Sequence, residues 1–544
     1  MGGLSFRTRQ ENLERMAHEE FDILVIGGGI TGAGIAWDAA LRGFKTALVE
    51  KGDFASGTSS RSSRLIHGGL RYLKYFQFDL VYEACRERAL LWRRLAPHLV
   101  HPLPFIYPIY RGEGVGKAEM RIGMWLYEAL ALSHNVGRHR FLGPQEVLEL
   151  EPHLKRKGLQ GGTLFYDCQA DDARLTLVTV RAAHRAGAVV ANYAEAAGLL
   201  KAKGRVRGAA VKDVLTGKEV EVKAKVVVNA AGPWGGKVAA LDSPESATGL
   251  RLTKGIHLVI RRERIGHRYA ITISSPRDGR FVFILPWGDF TIVGTTDTDY
   301  QGDLDRVCAE PEDVEYLLEA VNYALPEISL KEEDIISTYA ALRPLAFGGA
   351  QSPYDVSRKH RIFKSPSGML WIAGGKLTTF RKMAYDLVNA TQKVLAREYG
   401  VYPSRGCTTH LTPLPGGANP PDESTIRALE ERVGEKAARY LASSYGDELP
   451  RVLELVEGNP SLGEPLVEGL PYIKAQVILA VEEEMALTLQ DLLIRRTRII
   501  YEAPDGGLQA AGEIARMMGE LLGWDEARCR QEVESYKIAC QLTR

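Results

Sequence analysis

The chain of 544 residues has only six cysteines, at positions 85, 168, 308, 407, 529 and 540, and none forms a CxxC pair. That spacing argues against a disulfide framework, offers no metal-ligating cluster, and suits a reduced cytosolic setting; no metal is expected. A charge excess is also lacking. The 69 basic and 68 acidic side chains leave a formal net charge of +1. No nucleic-acid partner is therefore predicted, and any anion recognition must be local. No uncharged apolar run approaches the length needed to span a bilayer, and the N-terminal MGGLSFRTRQENLERMAHEE has no signal-peptide core. Contact with a membrane surface stays open, because it needs only an apolar or basic patch. Two segments qualify: MRIGMWLYEALALS at 120–133, flanked by Arg121, Arg138, His139 and Arg140, and the N-terminus with Arg7, Arg9 and Arg15. Core packing is the favoured reading of 120–133, because an apolar helix face usually packs inward.

What is present begins with a strand, glycine turn, helix and strand across 21–50, a βαβ unit of the kind that builds parallel sheets. Its turn, GGGITG, supplies GxGxxG at Gly27, Gly29 and Gly32, and Glu50 ends the next strand. The glycines permit a tight turn, close approach to a pyrophosphate at the helix N-terminus, and close helix–strand packing; the acid suits a ribose hydroxyl. Further strands are predicted at 189–193, 225–232, 257–262, 280–287 and 290–296, the last three with antiparallel alternation. The Pro- and Gly-rich stretch 411–424 marks a boundary, and beyond it apolar residues recur at helical spacing. The predicted fold is α/β: a Rossmann-like FAD-binding domain interleaved with an antiparallel-sheet substrate domain, plus a C-terminal all-α domain. The first domain is expected over 1–410, with FAD-binding parts at about 20–90, 150–250 and 350–400 and a cap at about 91–149 and 251–349; the helical domain is expected over 424–544.

FAD is preferred to NAD because distant segments repeat one design, small residues where backbone passes close to a cofactor. GTSSRSSRLIHGG offers Thr58, Ser59, Ser63, His67, Gly68 and Gly69 to the diphosphate and flavin. VVVNAAGPW adds Ala231 and Gly232 after an apolar strand. WIAGGKLTTF places Gly375, Lys376, Leu377 and Thr378 at a helix start, where the dipole suits the electron-rich edge of a flavin. Thr378 and Thr379 are expected as helix caps.

VIGGGITGAGIAWDAALRG, SSRLIHGGLRYL, VVNAAGPW, PWGDFTIVGTTDT, ALRPL and GGKLTTFRKMA together resemble the FAD-dependent glycerol-3-phosphate dehydrogenases, a group of D-amino-acid-oxidase-like flavoproteins. The resemblance runs from about residue 21 to 390 and resumes in VEEEMALTLQDLLIRRTR at 481–498. It implies oxidation of sn-glycerol 3-phosphate to dihydroxyacetone phosphate, hydride passing from C2 to flavin N5 and electrons onward to a membrane quinone. It also implies peripheral association with the inner face of the cell membrane, and it allows a homodimer. In the substrate pocket it places Arg71, Tyr72, Arg343 and Lys376. His257, in TKGIHLVI, is one candidate to take the hydroxyl proton, and an ordinary sheet histidine is the other reading. Alternatively, Arg343 or Lys376 steadies the alkoxide while water removes the proton. His67 is read as a cofactor neighbour, a covalent flavin link being left open. Asp297 and Asp278 are further pocket candidates, the first with a turn-ordering role as its rival. Three other activities stay in view: an oxygen-consuming glycerol-3-phosphate oxidase that makes peroxide, an amine or amino-acid oxidase, and a non-catalytic flavin-binding sensor.

Overall fold

The structure is a computed structural model that describes residues 3–243, 250–346 and 359–544. Two sheets form its centre. In the first, strand Glu20–Ile26 lies between Thr46–Val49 and Glu219–Asn229, parallel to both. Val189–Ala191 extends the parallel run on one side and Leu370–Ala373 on the other. Strands buried on both faces read as unbroken apolar runs, as ILVI at 23–26 does. Helix Ile30–Leu41 follows the glycine turn and is buried along almost its whole length. Its small residues make that possible: a Cβ on Gly32 would overlap the Gly27 carbonyl oxygen, and one on Gly34 would press on the Phe380 ring.

Among the described residues the second sheet has ten strands and is mainly antiparallel. Leu250–Arg261 pairs with both Phe290–Gly294 and Ile335–Ala346. Strands Leu65–Ile66 and Leu159–Gln169, which fall in stretches expected to belong to the FAD-binding domain, run in this sheet instead. Residues 57–66 therefore carry the chain from the nucleotide turn across to the second sheet. Sequence periodicity marks a strand but not the sheet it joins, because pairing partners are distant in sequence.

The amphipathic helix Lys117–Ala131 buries Met120, Met124, Tyr127 and Ala131 as expected, yet Ile122 and Trp125 on another face are 69% and 66% exposed. Core packing thus accounts for one apolar stripe and not for both. In the N-terminal basic segment Arg7 and Arg15 are exposed, whereas Arg9 is buried, 2.5 Å from Asp213 and bonded to the Asn192 carbonyl.

Helices fill the C-terminal region from Glu423–Val433 to Glu526–Gln541. Within 472–498, where apolar residues recur at helical spacing, the structure forms two separate elements, Ala475–Glu483 and a π-helical turn Asp491–Arg496. Met485 sits at φ +55°, and the Asp491 carboxylate collects the Leu487 and Thr488 amides, which ends any continuous helix there. From that wide turn Arg495 and Arg496 both reach Asp53 at 2.5 Å, and Arg174 pairs with Glu484. All of these side chains are buried. The C-terminal helices are thereby locked to the nucleotide domain by ions removed from water.

Removing one partner from a buried ion pair leaves the other charge stranded. Asp53→Ala is expected to lower unfolding stability by about 3–5 kcal/mol. Equilibrium denaturation checks this, and a loss within about 1 kcal/mol, the range of surface pairs, would contradict it.

Candidate active site

A groove of about 790 Å³ runs along the C-terminal ends of the parallel strands. At one end are the glycine turn and Glu50, at the other Gly374, Gly375, Lys376 and Leu377. Gly27 adopts φ +113°, and Gly29 caps the helix it opens. The Ser59 hydroxyl accepts from the Ile30 amide at 3.0 Å, tying the loop after the second strand to that helix N-terminus. Glu50 Oε2 accepts from Gly28 N at 2.6 Å and Oε1 from Gly52 N at 2.9 Å. Burial raises the pKa of this carboxyl, and the two amide bonds oppose the rise. Thr58 Oγ1 donates to the Leu342 carbonyl at 2.6 Å and so joins the loop to the second sheet. Ala231 and Gly232 form the wall after strand Glu219–Asn229.

At the other end, His67 N donates to Thr378 Oγ1 at 3.0 Å. Neither Thr378 nor Thr379 caps the following helix: Thr379 occupies the N-cap position without a side-chain bond to the helix. The expected capping role is thus replaced, for Thr378, by a hold on the His67 backbone. Gly68 N donates to Asp167 Oδ1 at 3.0 Å, and Asp167 also binds Arg88 and the Tyr127 hydroxyl. Sequence reading missed Asp167 and Arg88, because neither lies in a recognisable motif. Gly69 takes φ +78°, where a Cβ would collide with the Tyr72 ring. The Lys376 ammonium lies 3.6 Å from the centroid of that ring. A cation there is stabilised by the ring's negative face. The Arg71 side chain lies outside the described residues.

Arg343 lies flat over Gly255, where any Cβ would overlap its guanidinium. Its Nη1 donates to Asp297 at 3.0 Å and to the Thr296 carbonyl at 3.1 Å, and its Nη2 to Thr295 Oγ1 at 2.8 Å. Asp297 is therefore the partner of Arg343 and not only a turn residue. Asp278 has no such place: it accepts from the Arg280 amide and the Tyr316 hydroxyl on an exposed turn. His257 is 2% exposed, stacked on Tyr339 at 4.7 Å between centroids, with Nε2 at 2.8 Å from Ser63 Oγ. Burial, reinforced by Arg343 and Arg64, holds its pKa well below the ordinary value, so the imidazole is neutral.

The C-terminal helices also wall the groove, through Gln490, Ile494, Tyr501 and Leu542. Nothing in their apolar periodicity marks them as groove-lining. FAD fits the remaining space. Gly232 has φ +54° and nothing within 4 Å of where a Cβ would stand, so a side chain there would project into the open groove. Gly232→Val is accordingly expected to cut FAD occupancy roughly tenfold, the scale of one misplaced methyl-rich side chain in a close-packed site. The absorbance ratio of purified protein measures this, with circular dichroism to show the fold retained; full flavin loading would contradict it.

Comparison with known proteins agrees with the geometry. Residues 22–381 match the family "FAD dependent oxidoreductase", and 407–529 match "C-terminal domain of alpha-glycerophosphate oxidase". The chain is 37% identical to the aerobic glycerol-3-phosphate dehydrogenase of Staphylococcus haemolyticus over 548 residues, covering 99% of this chain and 97% of that one. It is 39% identical to glycerol-3-phosphate dehydrogenase 2 of Mycobacterium tuberculosis, covering 96% and 88% respectively. The crystal structure of the glycerol-3-phosphate dehydrogenase from Bacillus halodurans complexed with FAD superposes with a TM-score of 0.80 at 34% identity, covering 99% of this chain and 98% of that one. Glycine oxidase from Geobacillus kaustophilus, at 20% identity and a TM-score of 0.51 over 69% of this chain and 95% of that one, shares the fold alone. A nucleotide groove shaped for a flavin, the family matches and full-length relatives converge: the chain is an FAD-binding member of the FAD-dependent oxidoreductases and belongs to their glycerol-3-phosphate dehydrogenase group.

Proposed function

We propose that the chain oxidises sn-glycerol 3-phosphate to dihydroxyacetone phosphate and passes the electrons to a membrane quinone. The observation that carries this reading is the Lys376–Tyr72 contact beside the flavin end of the groove, in a chain similar over nearly its whole length to glycerol-3-phosphate dehydrogenases. Bound FAD supplies the acceptor for the hydride from C2. Lys376, Arg343 and Arg71 answer the phosphate dianion, arginine through its planar fork. Asp297 and Thr295 hold the plane of the Arg343 guanidinium. A neutral His257 is able to take the hydroxyl proton; if water takes it instead, Arg343 or Lys376 stabilises the developing alkoxide.

A second reading follows from the C-terminal match, whose description is that of an alpha-glycerophosphate oxidase domain. Oxygen would then accept the electrons and peroxide would form. Anaerobic mixing with sn-glycerol 3-phosphate is expected to bleach the flavin, with a quinone analogue restoring the colour faster than oxygen does. Faster recovery with oxygen and stoichiometric peroxide would favour the oxidase. No bleaching at all would reject both and leave an amine or amino-acid oxidase or a flavin-binding sensor. Lys376→Met is expected to slow bleaching roughly 100-fold, the scale of one lost electrostatic contact.

For the membrane, the support is an exposed apolar group at one surface. Ile122 and Trp125 stand one helical turn apart, Leu132 follows at 64% exposure, and Phe76 is 79% exposed. Lys117, Arg121, Arg138 and Arg140 are exposed on the same segment. Apolar side chains rimmed by cations suit an anionic bilayer surface, here the inner face of the cell membrane. Among the described residues no helix is long and apolar enough to cross it. Replacing Ile122 and Trp125 together by Ser is expected to weaken co-sedimentation with anionic vesicles by at least about tenfold, since each buried apolar side chain contributes about 1.5–3 kcal/mol. Unchanged co-sedimentation would remove this face from consideration.

A further inference from the structure

Arg498 belongs to the C-terminal helical region, yet apart from one bond back to the Ile494 carbonyl at 3.4 Å its guanidinium bonds to the nucleotide domain. It is 1% exposed. Its Nε donates to Asp171 Oδ2 at 2.9 Å, and its Nη2 to Asp171 Oδ1 and, at 2.8 Å, to Asp172 Oδ1. Its Nη1 reaches the Ser60 carbonyl at 3.3 Å. The other oxygen of Asp172 accepts twice from one residue: from Ser62 N at 2.8 Å and from Ser62 Oγ at 2.7 Å. Ser63, next in the chain, makes the 2.8 Å bond to His257 Nε2. The Tyr339 hydroxyl donates to the Ser62 carbonyl at 3.1 Å, and its ring stacks on His257. The Ser62–Ser63 peptide is thus gripped by Asp172 from one side and by Tyr339 and His257 from the other.

The grip has a physical purpose. The next residue, Arg64, holds φ +56°, a left-handed conformation that a non-glycine residue keeps only when its surroundings impose it. A serine hydroxyl turns among three rotamers, so its bond to an imidazole lasts only if the backbone beneath it is fixed. One carboxylate accepting both the N–H and the O–H of Ser62 fixes that backbone. A fully buried carboxylate needs a cation beside it, and Arg498 is that cation.

We propose that Arg498 and Asp172 are positioning residues for the oxidation. They hold Ser62 and Ser63 so that Ser63 fixes the plane of the His257 ring, and they make the C-terminal region a working part of the active site. The orienting group of a serine–histidine–aspartate triad acts on its histidine in a comparable way. The proposal rests on the reading in which His257 takes the proton of the substrate alcohol.

The test uses the FAD-loaded full chain, mixed anaerobically with sn-glycerol 3-phosphate, and reads the limiting rate of flavin reduction, the substrate dissociation constant and the flavin spectrum. Asp172→Asn is expected to lower the limiting rate roughly 10-fold or more, with substrate affinity changed by less than about twofold and FAD retained. The double variant Asp172→Asn with Ser63→Ala is expected to be no slower than Ser63→Ala alone, since both changes remove one contact. A wild-type rate in Asp172→Asn, or losses that multiply in the double variant, would overturn the proposal. Should Asp172→Asn fail to fold, Arg498→Lys keeps the cation, loses the fork, and carries the same two criteria. His257→Asn separates the underlying reading. A wild-type rate there, with Asp172→Asn still slow and still not additive with Ser63→Ala, rejects His257 as proton acceptor and leaves the hold on Ser63 standing.

Discussion

Arginines of one π-helical turn and its continuation meet aspartates of the nucleotide domain away from water, and the rest of the molecule is arranged around that seam. Arg495 and Arg496 close on Asp53, and Arg498 closes on Asp171 and Asp172. Asp53 lies three residues beyond Glu50, and Asp172 opens a helix packed on the glycine-turn helix. The seam therefore runs directly behind the cofactor groove. Buried ion pairs seldom add much net stability over apolar packing, because desolvation offsets most of the attraction. What they constrain is register: a shift of the C-terminal helices would leave these charges buried without partners. That constraint brings Gln490, Ile494, Tyr501 and Leu542 to the groove wall.

A second constraint acts through one stretch of chain. Residues 57–76 begin against the glycine-turn helix through Ser59, cross to the second sheet through Leu65–Ile66, and end in the turn that carries Tyr72. Along the way each residue type matches a local demand. Hydroxyls bind backbone and imidazole, Gly68 leaves room for Tyr127 and Cys85, and Gly69 leaves room for the Tyr72 ring. The same stretch thus touches the cofactor groove, the neutral histidine and the Lys376–Tyr72 contact. Its fixed course explains how groups from two sheets come to face one another.

Much of this was legible in the sequence. GxGxxG followed by Glu50 marks a nucleotide turn because only glycine permits those close approaches, and the chain's strand–turn–helix context supplies the confirmation. The antiparallel second sheet was legible from alternation at 257–296. Less legible were facts that depend on partners far along the chain. Asp297 reads as a turn residue until strand Ile335–Ala346 brings Arg343 beside it. Thr378 reads as a helix cap until the His67 amide arrives from the end of strand Leu65–Ile66. Leu159–Gln169 falls in a stretch expected to belong to the FAD-binding domain until its pairing with His101–Tyr110 is seen.

The sequence by itself determined the nucleotide turn, the flavin preference, the alternation of elements and the residue types of the site, because each follows from spacing and from the conformations a residue type permits. Tertiary structure alone decided that His257 is buried and neutral, that Lys376 rests on Tyr72, that Trp125 stays at the surface, and that Arg498 of the C-terminal region meets Asp171 and Asp172. Those facts depend on burial and on which distant groups meet. A charge has no fixed meaning in a linear chain: its hydration and its partner are set only when the fold closes around it.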